Sequence, residues 1–226
     1  VNGMTNTLAS APLQAVLDRL FAATAAQEDD QMPAPPPGLA SWAEASAAEL
    51  AEALQDAYIP ISAEAGKLLY ALIRASRPQT VVEFGMSFGI STIYLAAAVT
   101  DNGTGHVVTT ELSSKKVAAA AANLREAGVD AAVTILEGDA LETLAGVPGP
   151  VGLVLLDGWK DLCLPVLRLL EPKLTPGALV AGDDTNGPAM ADYLAYIRDP
   201  ANGYVTVAFP VEDGMEISCW TGASQR

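Results

Sequence analysis

Apolar positions in the first third of the chain recur at helical spacing. Leu13, Val16, Leu17, Leu20 and Phe21 share one face of a stretch that predicts a helix over 10–29. Pro33, Pro35, Pro36 and Pro37 then stop the pattern and form a stiff connector. A second helix is predicted over 41–57, with Ser41 as N-cap and Glu44 three residues on. Tyr58-Ile59-Pro60-Ile61 breaks it, and Ser62 caps a third helix that reaches about Arg77, just before Pro78. From Thr80 the pattern changes to short apolar runs at 80–85, 106–111, 132–137, 151–156 and 178–182, which read as strands. Helical segments lie between and after them, at about 90–100, 114–127, 140–146, 161–171 and 188–198. This alternation predicts an α/β fold with a doubly wound parallel sheet. The last two runs, 204–211 and 215–221, are joined by Glu212-Asp213-Gly214, and so short a link implies an antiparallel hairpin.

Length and charge narrow the picture. The 226 residues are half hydrophobic, enough for one sizeable core, so a single domain over 1–226 is expected, with a helical cap at 1–62 and an α/β core at 63–226. Twelve basic against 27 acidic residues give a net charge of −15, which argues against a nucleic-acid or anionic-membrane partner. No apolar run reaches membrane-spanning length, and a cytoplasmic protein is the default expectation. Cys163 and Cys219 lack metal or redox spacing and read as reduced core residues; His106 is the only histidine, which disfavours a zinc site.

The candidate chemistry sits where strands end. The run 151–156 leads into Asp157-Gly158-Trp159-Lys160-Asp161, and the run 178–182 into Asp183-Asp184. Ligands of an open parallel sheet bind outside the carboxyl ends of its strands, so these carboxylates and Lys160 are expected on one rim. Oxygen ligands suit a hard divalent cation, Mg²⁺ before Mn²⁺ or Ca²⁺. Val81 to Ser91 reads as a strand, a glycine turn and a helix start, in which Gly85 and Gly89 admit close approach of a ligand and Ser91 is placed to hold a carboxylate. The spacing departs from the dinucleotide pattern G-x-G-x-x-G. Residues 85–89 match G-x-S-x-G, the nucleophile elbow of hydrolases, but that class needs a late histidine and His106 comes too soon. Glu111, closing the second strand, is placed for the two hydroxyls of a ribose, with an ordinary strand-end carboxylate as the alternative. Asp139 either caps the next helix, borders an adenine, or does both.

Taken together, E-x-G-x-x-x-G-x-S from Glu83 to Ser91 and D-x-W-K-D at 157–161, followed by D-D at 183–184, resemble the class I S-adenosylmethionine-dependent methyltransferases. The closest resemblance is to their cation-dependent O-methyltransferases, typified by catechol and caffeoyl-CoA enzymes, and it runs from about Ile59 to Trp220. It implies a Rossmann-like seven-stranded methyltransferase sheet, S-adenosyl-L-methionine and a divalent cation as cofactors, a small catechol-like or hydroxylated aromatic acceptor, and a homodimer. Glu83 would hold the cofactor's amino group, Gly85 would lie under its methionine portion, and Ser91 would bind its carboxylate. Glu111 would take the ribose; Gly138, Asp139 and Ala140 would border the adenine, while Ile61 and Ser62 would offer backbone contacts. Asp157, Asp183 and Asp184 would bind the metal, Lys160 would act as base with its pKa lowered by the cation, and Trp159 would wall the substrate pocket. Three departures stand out: Asp184 replaces the usual asparagine, Gly158 replaces a histidine, and an apolar residue near Val207 replaces the acid that clamps a second hydroxyl. Asn186 is an alternative ligand to Asp184. A homologue that binds cofactor and metal without turnover, or a methyltransferase acting on nitrogen or carbon, are the alternative functions.

Overall fold

The computed structural model describes residues 6–28 and 45–222. Its centre is a seven-stranded sheet in the order β3-β2-β1-β4-β5-β7-β6. The strands are β1 (Thr80–Phe84), β2 (His106–Glu111), β3 (Val133–Glu137), β4 (Val151–Leu156), β5 (Leu174–Asp183), β6 (Tyr204–Phe209) and β7 (Met215–Trp220). The first five pair in parallel, while β7 pairs antiparallel with both β5 and β6. The expected doubly wound sheet and its C-terminal hairpin are therefore both present. After β3 the chain returns across the sheet to place β4 beside β1, and this reversal opens a crevice at their carboxyl ends.

Both faces of the sheet are covered, which is why its central strands read as continuous apolar runs. On one face, Val81, Leu153, Leu155 and Ala181 pack against α1 (Ala11–Glu28), α3 (Ala63–Ser76), α4 (Ile90–Asn102) and α5 (Ser114–Ala127). On the other, Val82, Val154, Leu156 and Val180 meet α6 (Ala140–Thr143), α7 (Cys163–Leu170) and α8 (Ala191–Arg198). The strand period of two sends alternate residues of β1 and β4 to opposite cores. Cys163 is buried, Cys219 partly so, and both thiols are free.

The amphipathic reading of the first helix holds: Leu13, Val16, Leu17 and Leu20 are buried, and the helix packs against α5 and α4. Its end is tied down by Gln27, whose side chain accepts from Tyr58 N–H at 2.7 Å and donates to Tyr58 O at 3.3 Å. The second helix is shorter than expected. α2 spans Ala47–Ala53, and Ser46 with Glu49 forms its capping box. Ser41, Glu44 and the proline connector at 33–37 lie outside the described residues. Past Ala53 the chain turns through Leu54–Ala57, because Tyr58-Ile59-Pro60 must run extended ahead of the proline. β5 starts four residues earlier than the apolar run suggested. Pro176 and Gly177, at φ +85°, form an irregular step there, and the register against β4 shifts between Val151 and Leu153. Three of the helices expected after β3 are short α-helices flanked by 3-10 turns, at Leu144–Gly146, Lys160–Leu162, Glu171–Lys173 and Pro188–Met190.

Leu153 is fully buried in β4 between β1 and β5. Leu153→Ala is expected to cost about 2–5 kcal/mol, the range for a collapsed-core deletion, read as a lower denaturant midpoint with an unchanged slope.

Candidate active site

The carboxyl ends of the parallel strands form one rim. A cavity of about 230 Å³ opens there, walled by Gly85, Glu111, Gly138, Asp139, Ala140, Asp157, Trp159, Lys160 and Asp184. A small recess adjoins it along Gly85, Ser87 and Asp157 and reaches Ser91 and Tyr58. Most residues expected at the site from the sequence are thus brought together. Glu83 and Asp183 lie behind the wall, buried at the ends of β1 and β5.

The floor is the seam between β1 and β4. Asp157 N–H donates to Phe84 O at 2.9 Å, joining the two strand ends. Gly85 has φ +97°, and a Cβ there would stand 2.6 Å from Gly158 N and 2.7 Å from Asp157 O, so only glycine fits. A Cβ on Gly158 would lie 2.3 Å from the Phe84 ring. The departure at Gly158 therefore has a packing cause: Phe84 fills the space a larger residue would need.

Glu83 is fully buried; its Oε2 accepts from Thr109 Oγ1 at 2.5 Å and Thr92 Oγ1 at 2.6 Å. Its Oε1 has no partner among the described residues. Burial pushes its pKa from 4.5 to about 7 against the pull of the Ser91, Thr109 and Thr92 hydroxyls, and the Asp157 charge adds to the rise. A buried carboxylate with one oxygen free fits a cationic amino group. Glu111 is held by three backbone amides: Ser87 N–H on Oε2 at 2.8 Å, and Leu112 and Ser113 N–H on Oε1 at 2.9 Å each. Asp139 does cap α6, its Oδ1 accepting from Leu141 N–H at 2.7 Å, while also bordering the cavity.

Beyond the seam stands the acid cluster. Ligand atoms of Asp157, Asp183 and Asp184 all lie within 4.8 Å of one another. Lys160 Nζ bridges Asp157 Oδ1 at 3.1 Å and Asp184 Oδ2 at 2.9 Å. Burial, then the Asp157 and Asp184 charges, push the Asp183 carboxyl up to about 8, and Asp157 is raised by burial as well. So crowded a set of oxygens fits a hard divalent cation, which would offset that repulsion. At Lys160 burial acts downward, but the Asp157 and Asp184 carboxylates outweigh it and raise the pKa. The sequence reading has a cation lowering it; the direction at Lys160 follows whichever charge dominates beside it.

Some expected residues stand apart. Ile61 is buried in the core, and Ser62 N–H already donates to Glu212 Oε2 at 2.8 Å, while Tyr58, Ile59 and Pro60 face the small recess instead. Asn186 turns toward the hairpin, where a Cβ on Gly214 would meet its Oδ1 at 2.9 Å. Val207 is 56 % exposed on β6, away from the cavity wall. Among the polar lining residues, Ser87, Thr110 and Lys116 had no site role in the sequence reading. Ser87 was visible as the centre of G-x-S-x-G. Lys116 Nζ lies 5.4 Å from the Phe88 ring centroid, and burial lowers its pKa against the pull of Glu111 and Asp56. Nothing in its sequence neighbourhood signals burial.

Between pH 4.5 and about 7 the folded chain keeps a proton on Glu83 that the unfolded chain releases. Stability is fully present below 4.5 and falls as pH rises through that window, by about 3 kcal/mol from this group. Without added ligands, the melting temperature is expected to drop from pH 5 to pH 8, and Glu83→Gln to flatten the drop below pH 7. An unchanged profile in the variant would reject this assignment.

Comparison with known proteins agrees with this geometry. The profile of a methyltransferase domain matches residues 82–185. Catechol O-methyltransferase of Mycobacterium tuberculosis is 37% identical over 141 residues, which cover 62% of this chain and 63% of that protein. Catechol O-methyltransferase B of Danio rerio is 28% identical over 173 residues, covering 70% of this chain and 64% of that protein. The chain thus spans less than two thirds of the length of these relatives. The cofactor-bound structure of Rv0187 from MTB matches with a TM-score of 0.67 and 27% identity, over 84% of this chain and 98% of that one. With its glycine loop, its 3-2-1-4-5-7-6 sheet and the match over residues 82–185, the chain carries a methyltransferase-domain fold similar to that of these relatives.

Proposed function

We propose that the protein transfers a methyl group from S-adenosylmethionine to a hydroxyl of a small catechol-like or hydroxylated aromatic acceptor, with a divalent cation, Mg²⁺ foremost. The observation that carries this reading is one cavity bounded by Glu111 and Gly85 at one end and by Asp157, Lys160 and Asp184 at the other. The names of the relatives in Mycobacterium tuberculosis and Danio rerio support a catechol as acceptor.

S-adenosylmethionine supplies, when bound, a methyl group on a sulfonium. The unpartnered Glu83 Oε1 would receive its amino group, Ser91 its carboxylate and Glu111 its ribose, fixing the methyl along the line of displacement. A cation on Asp157, Asp183 and Asp184 would favour ionisation of an acceptor hydroxyl. Trp159 walls the acceptor side, and Lys160 Nζ, between two carboxylates on the same wall, would take the acceptor's proton. That role requires the pull of Asp157 and Asp184 on the ammonium to be offset, which ties the base to the acid cluster.

Transfer of labelled methyl to a catechol panel, including caffeate, is expected with Mg²⁺ and not with EDTA. Lys160→Ala should lower kcat by roughly 10²–10⁴. Cofactor binding without transfer to any hydroxylated aromatic would overturn the reading in favour of a binding role. Asp184→Asn is expected to weaken Mg²⁺ binding about tenfold, since it removes one negative ligand; a titration showing no difference would reject the three-carboxylate site.

A homodimer is part of the same reading. Its support is the apolar strip on the outer strand β6, where Val205, Val207 and Phe209 are 67%, 56% and 41% exposed. A solution mass near twice 23.3 kDa is expected by light scattering, and a mass near 23.3 kDa would exclude the dimer.

A further inference from the structure

The Glu111 carboxylate has less capacity left than its position suggests. Ser87 N–H occupies one site on Oε2, and Leu112 and Ser113 N–H occupy Oε1. An ionised carboxylate offers about four acceptor positions, so about one remains for a ligand. A ribose presents two adjacent hydroxyls, and the second needs another partner.

Among the neighbours, Thr110 Oγ1 is engaged by Thr143 Oγ1 at 3.1 Å and Asp139 Oδ1 by Leu141 N–H, while the Lys116 ammonium stands 5.4 Å from the Phe88 ring centroid. Ser87 differs. Its Oγ is buried with no partner among the described residues, and the residue borders both the main cavity and the small recess. Its own N–H lies 2.8 Å from Glu111 Oε2, which sets the hydroxyl within one residue's reach of the remaining carboxylate site. Ser87 also holds φ +48°, a conformation that favours glycine. A serine there carries both the strain of that backbone and the cost of an unsatisfied hydroxyl.

We propose that Ser87 Oγ and Glu111 Oε2 together read the vicinal diol of an adenosine-type cofactor, one hydroxyl each. The inference rests on the cofactor reading above and adds a residue to it. The serine hydroxyl donates or accepts as the ribose requires, so it is satisfied when ligand is bound. Thr92 and Thr109, by contrast, already donate to Glu83 and have nothing left to donate.

The test is calorimetric binding of S-adenosylhomocysteine and its 2′-deoxy and 3′-deoxy analogues to the wild type, Ser87→Ala and Ser87→Gly. Both variants should bind the parent compound about tenfold more weakly than the wild type. For one of the two deoxy analogues, wild type and variants should bind alike, because the hydroxyl that Ser87 holds is gone. Ser87→Gly relaxes the positive φ, so a loss of binding with equal or higher melting temperature separates the hydroxyl from the fold. Parent affinity unchanged in both variants overturns the proposal. So does an equal loss for the parent and both analogues, which would mark a structural role. If the wild type itself fails to bind S-adenosylhomocysteine, the cofactor reading falls and the Ser87 assignment falls with it.

Discussion

The hydrogen bond from Asp157 N–H to Phe84 O closes the seam on which the rest of the molecule depends. It joins the two strands that flank the reversal of the sheet. Both carry their apolar residues into two separate cores, so neither can slide without disrupting packing on each face. Gly85 and Gly158 let the strand ends approach to backbone contact, and Phe84 seals the gap between them. Glu83 and Asp157 are thereby fixed relative to each other, closely enough that the charge of one is felt by the other.

Around this seam the protein concentrates unfavourable electrostatics. Glu83, Asp157 and Asp183 are all raised by burial, and Asp183 also by its acidic neighbours. Lys160 offsets part of the repulsion within the cluster. Backbone strain gathers at the same place: Ser87 and Asp184, two of the four non-glycine residues with positive φ among the described residues, border the cavity. Such costs are tolerated where the surrounding structure over-determines them, and here the double-sided cores do so.

The sheet was legible because its central strands are buried on both faces and end at glycine or acidic residues. Helix ends were less so. α2 starts where Ser46 and Glu49 close a capping box, a signal present in the sequence but outweighed by the longer periodic run. The irregular start of β5 depends on Pro176 and Gly177 against β4, a pairing that no local pattern reveals. Of the site, the strand-end acids could be read because topology alone sets where strands end. What lies between them could not. Whether Ser62 N–H is free depends on Glu212, far along the chain, and whether Ser87 Oγ is satisfied depends on a backbone angle.

The position of β7 has a consequence for how the chain is made. β6 comes earlier in sequence, yet it reaches the sheet only through β7, which lies between it and β5. During synthesis β6 therefore has no edge to join until residues to Trp220 have left the ribosome. Asp183 pairs across to Met215, so the strand that carries the acid pair lacks its outer neighbour until the same moment. The glycine-loop end of the crevice, built by β1 to β4, can be in place while the acid end is still open on one side. Nascent chains would thus gain the glycine-loop half of the crevice before the half that carries the acid cluster.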